Sequence, residues 1–116
     1  MERQEKIRKH IQSDAVNKTV NPEKQGRHNR NSSDYISGRS YLFDSVDVQE
    51  LINKYYGTGE PKFTKSGKWK NKEIIVTEFA VGKIVNPDTG EEDITNTFTI
   101  HYSRTGTHIV PAPRKG

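Results

Sequence analysis

The chain has 116 residues, of which 29% are hydrophobic and 29% charged, so it fits one domain with one small core and leaves part of itself outside any packed globule. Nineteen Lys plus Arg against fifteen Asp plus Glu give a net charge of +4, which suits a polyanionic partner without requiring one. The absence of cysteine excludes a disulfide frame and a thiolate metal site, and no stretch approaches the roughly 20 apolar residues of a membrane span.

Residues 2–18 favour helix, but Ile7, Ile11 and Val16 form only a thin apolar stripe among many charges. Residues 1–20 therefore read as a helical connector or tail, with no apolar run of the signal-peptide kind. Val20 to Gly38 is dominated by Asn, Ser, Gly and basic residues and reads as loop. In the segment that follows, Val48, Leu51, Ile52 and Tyr55 keep the i, i+3, i+4, i+7 spacing of a helix with one buried face. Asp44, Ser45 or Asp47 can cap it, Asp47 with Glu50 resembling a capping box, and Gly57 can end it in the left-handed conformation.

KFTKSGKWKNK, with five lysines, Phe63 and Trp69, predicts a basic hairpin or loop leading into strand. Glu73 to Val85 is rich in β-branched and aromatic residues and predicts one bent strand or two, with Gly82 a bulge or bend. NPDTGEE is a turn, and Asp93 to Arg104 resumes strand character. A second turn at Arg104 to Gly106 leads to THIVPA, where Pro111 is tolerable on an edge strand. The C-terminal half is thus expected to be an antiparallel meander.

Strand alternation along residues 93–104 puts Ile94, Phe98, Ile100 and Tyr102 on one face and Thr95, Thr97, Thr99, His101 and Ser103 on the other. The second face, hydroxyls with one histidine, is the clearest sign of function. Whether His108 joins it depends on register. If Thr105 and Gly106 form a two-residue turn, Ser103 pairs with His108, and His101, Ser103 and His108 share a face. If Gly106 closes a three-residue loop, Ser103 pairs with Thr107 and His108 turns away. The sequence allows both.

Histidines beside hydroxyls and cations match what RNA cleavage without metal requires: a base for the 2′-hydroxyl, an acid for the leaving oxygen and donors for the phosphate. His28, in the basic stretch EKQGRHNR, is a further candidate, whereas His10 in the weak first helix is discounted. A strand histidine among threonines is also a common surface residue. The lysines around Trp69 suit either base stacking or a solvated hairpin with one core tryptophan. No histidine or carboxylate spacing resembles a metal-ligand set, and GTG at Gly57 to Gly59 is too short for a phosphate loop, so it is read as the end of the helix.

KQGRH, GRS at Gly38 to Ser40, GTG after the helix, NKE at Asn71 to Glu73, a TG turn at Thr89 and above all IHYSRTGTHIVPA resemble, in order and spacing, the family called bacterial polymorphic toxin type 50. The resemblance covers about Asn21 to Pro113, which makes residues 21–113 the toxin domain and 114–116 a tail. It implies an α+β fold, N-terminal helices on a C-terminal antiparallel β-sheet, of the class shared by barnase, EndoU, colicin and RelE ribonucleases. It also implies a domain carried C-terminally on a larger secreted or delivered protein, acting as an endoribonuclease in the target-cell cytoplasm without cofactor or metal, and held in check by an acidic immunity protein.

By position, the resemblance points to Lys24 and His28, Arg39 and Ser40, and His101, Tyr102, Ser103, Thr107 and His108. On that basis His101 and His28 are the expected proton-transferring pair, with His108 in reserve. Lys24 and Arg39 would bind phosphate, Ser103 and Thr107 would orient it, and Ser40 and Tyr102 belong with the substrate-binding residues. Glu73 could serve as a base in the manner of barnase. Gly26 and the Asn-rich run after His28 replace a more apolar surround in the family pattern. The competing reading is a non-catalytic nucleic-acid-binding or phage structural module.

Overall fold

The computed structural model describes residues 3–114; residues 1 and 2, where the first helix was expected to start, and 115 and 116 of the expected tail lie outside the described residues. The fold is α+β. Three helices, α1 (Arg3–Gln12), α2 (Pro22–Gly26) and α3 (Val48–Tyr55), accompany seven strands among the described residues: β1 (Tyr41–Leu42), β2 (Glu60–Phe63), β3 (Trp69–Val76), β4 (Gly82–Val85), β5 (Glu92–Thr95), β6 (Thr97–His101) and β7 (His108–Ala112). All strand pairing is antiparallel, in a four-stranded sheet of order β2-β3-β6-β7 and a three-stranded sheet of order β1-β4-β5.

The thin stripe of α1 suffices because one residue carries it. Ile11 is fully buried in the core with Ile52 of α3, Phe98 and Ile100 of β6 and Ile109 of β7. Arg8 Nε donates to the Gly59 carbonyl at 2.8 Å and Gln12 Nε2 to the Gly57 carbonyl at 3.0 Å, so α1 is held against the turn after α3. The α3 cap is Asp47, whose carboxylate accepts from the Glu50 amide at 3.1 Å, and Gly57 (φ +74°) takes the left-handed conformation that ends the helix.

The stretch read as loop contains α2, whose start is fixed by Asn21, accepting the Lys24 amide at 3.2 Å, and by Pro22 in the first turn. The C-terminal half is not one meander: β4 and β5 leave the main sheet between β3 and β6 and pair with β1. Gly82 permits this, since a Cβ there would lie 2.2 Å from the Tyr41 carbonyl oxygen.

The excursion also breaks the alternation predicted for residues 93–104. The chain changes sheets at Asn96, whose side-chain nitrogen donates to the Thr77 carbonyl at 3.0 Å while its own carbonyl accepts the Thr77 amide at 3.0 Å. Thr95 and Thr97 are consequently buried and Ile94 is 48% exposed, the reverse of the expected faces. The Thr95 hydroxyl donates to the Ala112 carbonyl at 2.5 Å, so it has no role on an open face. Pro111 lies on β7, an edge strand, as expected.

Candidate active site

The β6–β7 hairpin follows neither of the two registers weighed from sequence. His101 stands directly opposite His108 and Ile100 opposite Ile109, leaving a six-residue connection from Tyr102 to Thr107. This longer loop is pinned from outside: the Thr107 amide donates to the Thr19 carbonyl and the Asn21 amide to the Thr107 carbonyl, both at 2.8 Å. Gly106 (φ +124°) fits beneath that crossing, where a Cβ would come within 2.7 Å of the Thr19 oxygen. His101 and His108 therefore share a face, with ring centroids 4.6 Å apart.

His28 joins them because of Gln25. The Gln25 side chain donates to the Ile109 carbonyl at 3.0 Å and accepts the Ile109 amide at 2.6 Å, binding α2 to the free edge of β7 as a further strand would. One turn on, the His28 ring stacks parallel to His108, with centroids 6.3 Å apart and an interplanar angle of 7°. The three histidines thus form a row, His28, His108, His101. His28 Nδ1 lies 3.2 Å from the Ser40 carbonyl oxygen. A carbonyl only accepts, so Nδ1 carries the proton and the Nε2 lone pair of the neutral ring is free.

Cations surround the row. Lys24 Nζ donates to Ser103 Oγ and Thr105 Oγ1, each at 3.3 Å, and Ser103 Oγ in turn donates to the Gly106 carbonyl at 2.8 Å. Lys72 faces His101 across β3 and β6. Burial, followed by the charge on His108, lowers His101 from the usual histidine value to about 4. Burial, followed by the charges on His28 and Lys24, lowers His108 to about 4. His28 is lowered too, chiefly by burial, although its bond to Ser40 opposes this, with Arg39 and Arg27 adding to the fall. All three rings are neutral at pH 7 without a ligand, surrounded by fixed positive charge. That combination holds bases ready and favours an anion.

The remaining sequence candidates divide. Arg39 is exposed and acts on His28 through its charge. Ser40 serves through its carbonyl, since its hydroxyl accepts the Val85 amide at 3.0 Å. Thr107 is fully buried, and its Oγ1 has no partner among the described residues. Tyr102 is turned inward, with its hydroxyl donated to Glu73 at 2.5 Å. Lys72 and Thr105 are not among the sequence candidates: Lys72 meets His101 only through the β3–β6 register, and Thr105 falls within the turn expected at Arg104 to Gly106. Among the described residues, no group of three or more histidine or carboxylate side chains is arranged to hold a metal ion, and no helix is long and apolar enough to cross a membrane.

A family model described as bacterial toxin 50 matches residues 20–111. The chain belongs to this family. A search of curated proteins found none that matches it. The toxin 50 match begins just before α2 and ends on β7, so it contains the whole histidine row with Lys24, Lys72 and Ser103, while α1 precedes it.

In this toxin domain Glu73 is not placed to act as a base. It is fully buried on the core face of β3, where its carboxylate accepts the amides of Gly57 at 2.9 Å and Gly59 at 2.8 Å as well as the Tyr102 hydroxyl. GTG therefore does more than end α3: its amides hold a carboxylate supplied by the chain itself. Burial and the neighbouring Glu73 charge push the Tyr102 hydroxyl far above the usual tyrosine range, which keeps it a donor. The set joins the end of α3 to the first residue of the loop beyond His101.

Proposed function

We propose that this toxin domain is a metal-independent endoribonuclease acting on cellular RNA. The observation that carries the reading is the row His28, His108, His101, with rings 6.3 and 4.6 Å apart and Lys24 and Lys72 alongside. The neutral rings supply a base that takes the proton of a ribose 2′-hydroxyl as O2′ bonds to phosphorus. The P–O5′ bond breaks, and a second, protonated ring gives its proton to O5′, leaving a 2′,3′-cyclic phosphate and a 5′-hydroxyl. Binding the phosphate favours this protonation, because an anion beside a histidine raises its pKa.

His101 and His28, at the two ends of the row, are assigned as the proton-transferring pair, with His108 between them. Lys24, Lys72 and the exposed Arg39 hold the phosphate, and Ser103, whose one proton goes to the Gly106 carbonyl, orients it through the Lys24 ammonium that it receives. The domain is delivered on a larger carrier protein, works in the target-cell cytoplasm and is neutralised by an acidic immunity protein covering the basic face around the row. Purified domain should degrade RNA in the presence of EDTA and yield cyclic phosphate ends. Binding of RNA without turnover would instead favour a non-catalytic binding module, and growth arrest on expression separates the two in cells.

A further inference from the structure

One large cavity lies beside the residues of the proposed chemistry and shares Ser103 with them. It measures about 730 Å³ and is lined by His10, Asp14, Trp69, Asn71, Ser103 and Arg104, among others. Trp69, the sole tryptophan, is half-buried, and its ring is fixed from several sides. Its Nε1 donates to the Lys72 carbonyl at 2.9 Å, His10 meets it edge-on with centroids 5.9 Å apart, and Tyr102 lies tilted against it at 6.0 Å. A rigid aromatic wall is what a single-stranded nucleic acid needs for an unstacked base.

Polar groups complete the cavity. Asn71 holds a left-handed backbone (φ +63°), unusual for a residue other than glycine, with its carbonyl accepting the Tyr102 amide at 2.8 Å. Among the described residues, no hydrogen bond or ion pair engages the side chains of Asn71 and Asp14. An amide and a carboxylate together offer donors and acceptors suited to the edge of a base, and Arg104 supplies a guanidinium for the backbone.

The cavity and the histidine row are neighbours across the Tyr102–Thr107 loop. Ser103 lines the cavity and accepts a hydrogen bond from Lys24 on the other side. Asn71 and Tyr102 line the cavity, while the next residue to each, Lys72 and His101, faces the row.

We propose that this cavity is a base subsite: it takes one nucleobase of a single-stranded RNA whose nearby phosphate lies on the histidine row. The assignment rests on the ribonuclease reading for its substrate, but its test does not depend on turnover. Trp69 is its own reporter. Titrating the domain with 2′-deoxy dinucleotides carrying each of the four bases, which cannot be cleaved by 2′-hydroxyl attack, should quench Trp69 fluorescence saturably, with one base preferred.

His101→Ala should keep this quenching. Asn71→Asp, which tolerates the left-handed backbone at an exposed position, should weaken dinucleotide binding about tenfold and alter the base ranking. In cleavage assays it should raise KM with little change in kcat, and Trp69→Phe should do likewise. Base-selective quenching without cleavage by any form would retain the base site and remove the nuclease reading. Cleavage with unchanged KM and base ranking in both variants would remove the base site and retain the nuclease. Quenching that inorganic phosphate reproduces equally would also overturn the base site.

Discussion

Gln25 satisfies both backbone groups of Ile109, donating to its carbonyl at 3.0 Å and accepting its amide at 2.6 Å. This pair closes the edge of β7 and sets His28 over His108, so one side chain serves both stability and the site. Gln25→Ala leaves a buried donor and acceptor unpaired, which costs about 2–4 kcal/mol. The expected result is a lower urea midpoint together with a loss of kcat in the fraction that remains folded, because His28 is no longer held. A variant that loses stability but keeps full kcat would show that His28 takes no part in the reaction.

Removing either end of the histidine row should damage turnover more than binding. His101→Ala and His28→Ala are each expected to lower kcat by about 10²- to 10⁴-fold, the usual range for a general acid or base, with a small effect on RNA affinity. Lys24→Ala should act chiefly on KM. Rates measured in EDTA with product-end analysis check all three, and full activity in both histidine variants would end the proposed mechanism.

The face of His101 is legible in the sequence because alternation within β6 holds from Phe98 onward, where one strand stays in one sheet. That of His108 is not, because its orientation depends on the Thr19, Asn21 and Thr107 backbone bonds that lengthen the loop, contacts between segments 84 or more residues apart that no local pattern encodes. The buried Thr95 was misassigned for a related reason: Asn96 passes the chain between sheets, and period-two reasoning assumes a single sheet. Local signals therefore located α3, its Asp47 cap and its Gly57 stop, while long-range pairing decided which polar groups meet.

Glu73→Gln separates a structural carboxylate from a catalytic one. The Gly57 and Gly59 amides and the Tyr102 hydroxyl all donate to Glu73, and a glutamine replaces one accepting oxygen by an NH₂ that opposes one of those donors. Stability should fall by about 1–3 kcal/mol, read as a lower urea midpoint, while kcat per folded molecule stays within about twofold of the parent. A base in the manner of barnase would instead lose about 10²-fold or more.

Acid should loosen this domain through the histidine row, and the sign follows from the direction of the shifts. In the unfolded chain histidine titrates near 6.5, whereas His101 and His108 in the folded chain are lowered to about 4, first by burial and then by positive charge, that of His108, Lys72 and His28 on His101 and that of His28, Lys24, Arg27 and Lys72 on His108. Between these values the unfolded state binds protons that the folded state refuses, so stability falls as pH drops from about 6.5 to about 4. Each ring contributes at most about 1.4 kcal/mol per pH unit, and less because the rings keep some solvent. Urea midpoints measured from pH 7.5 to pH 4 should decline across that window, and His108→Asn should flatten the decline by removing one titrating ring and relieving its neighbours. An equally steep decline in that variant would place the acid sensitivity elsewhere in the fold.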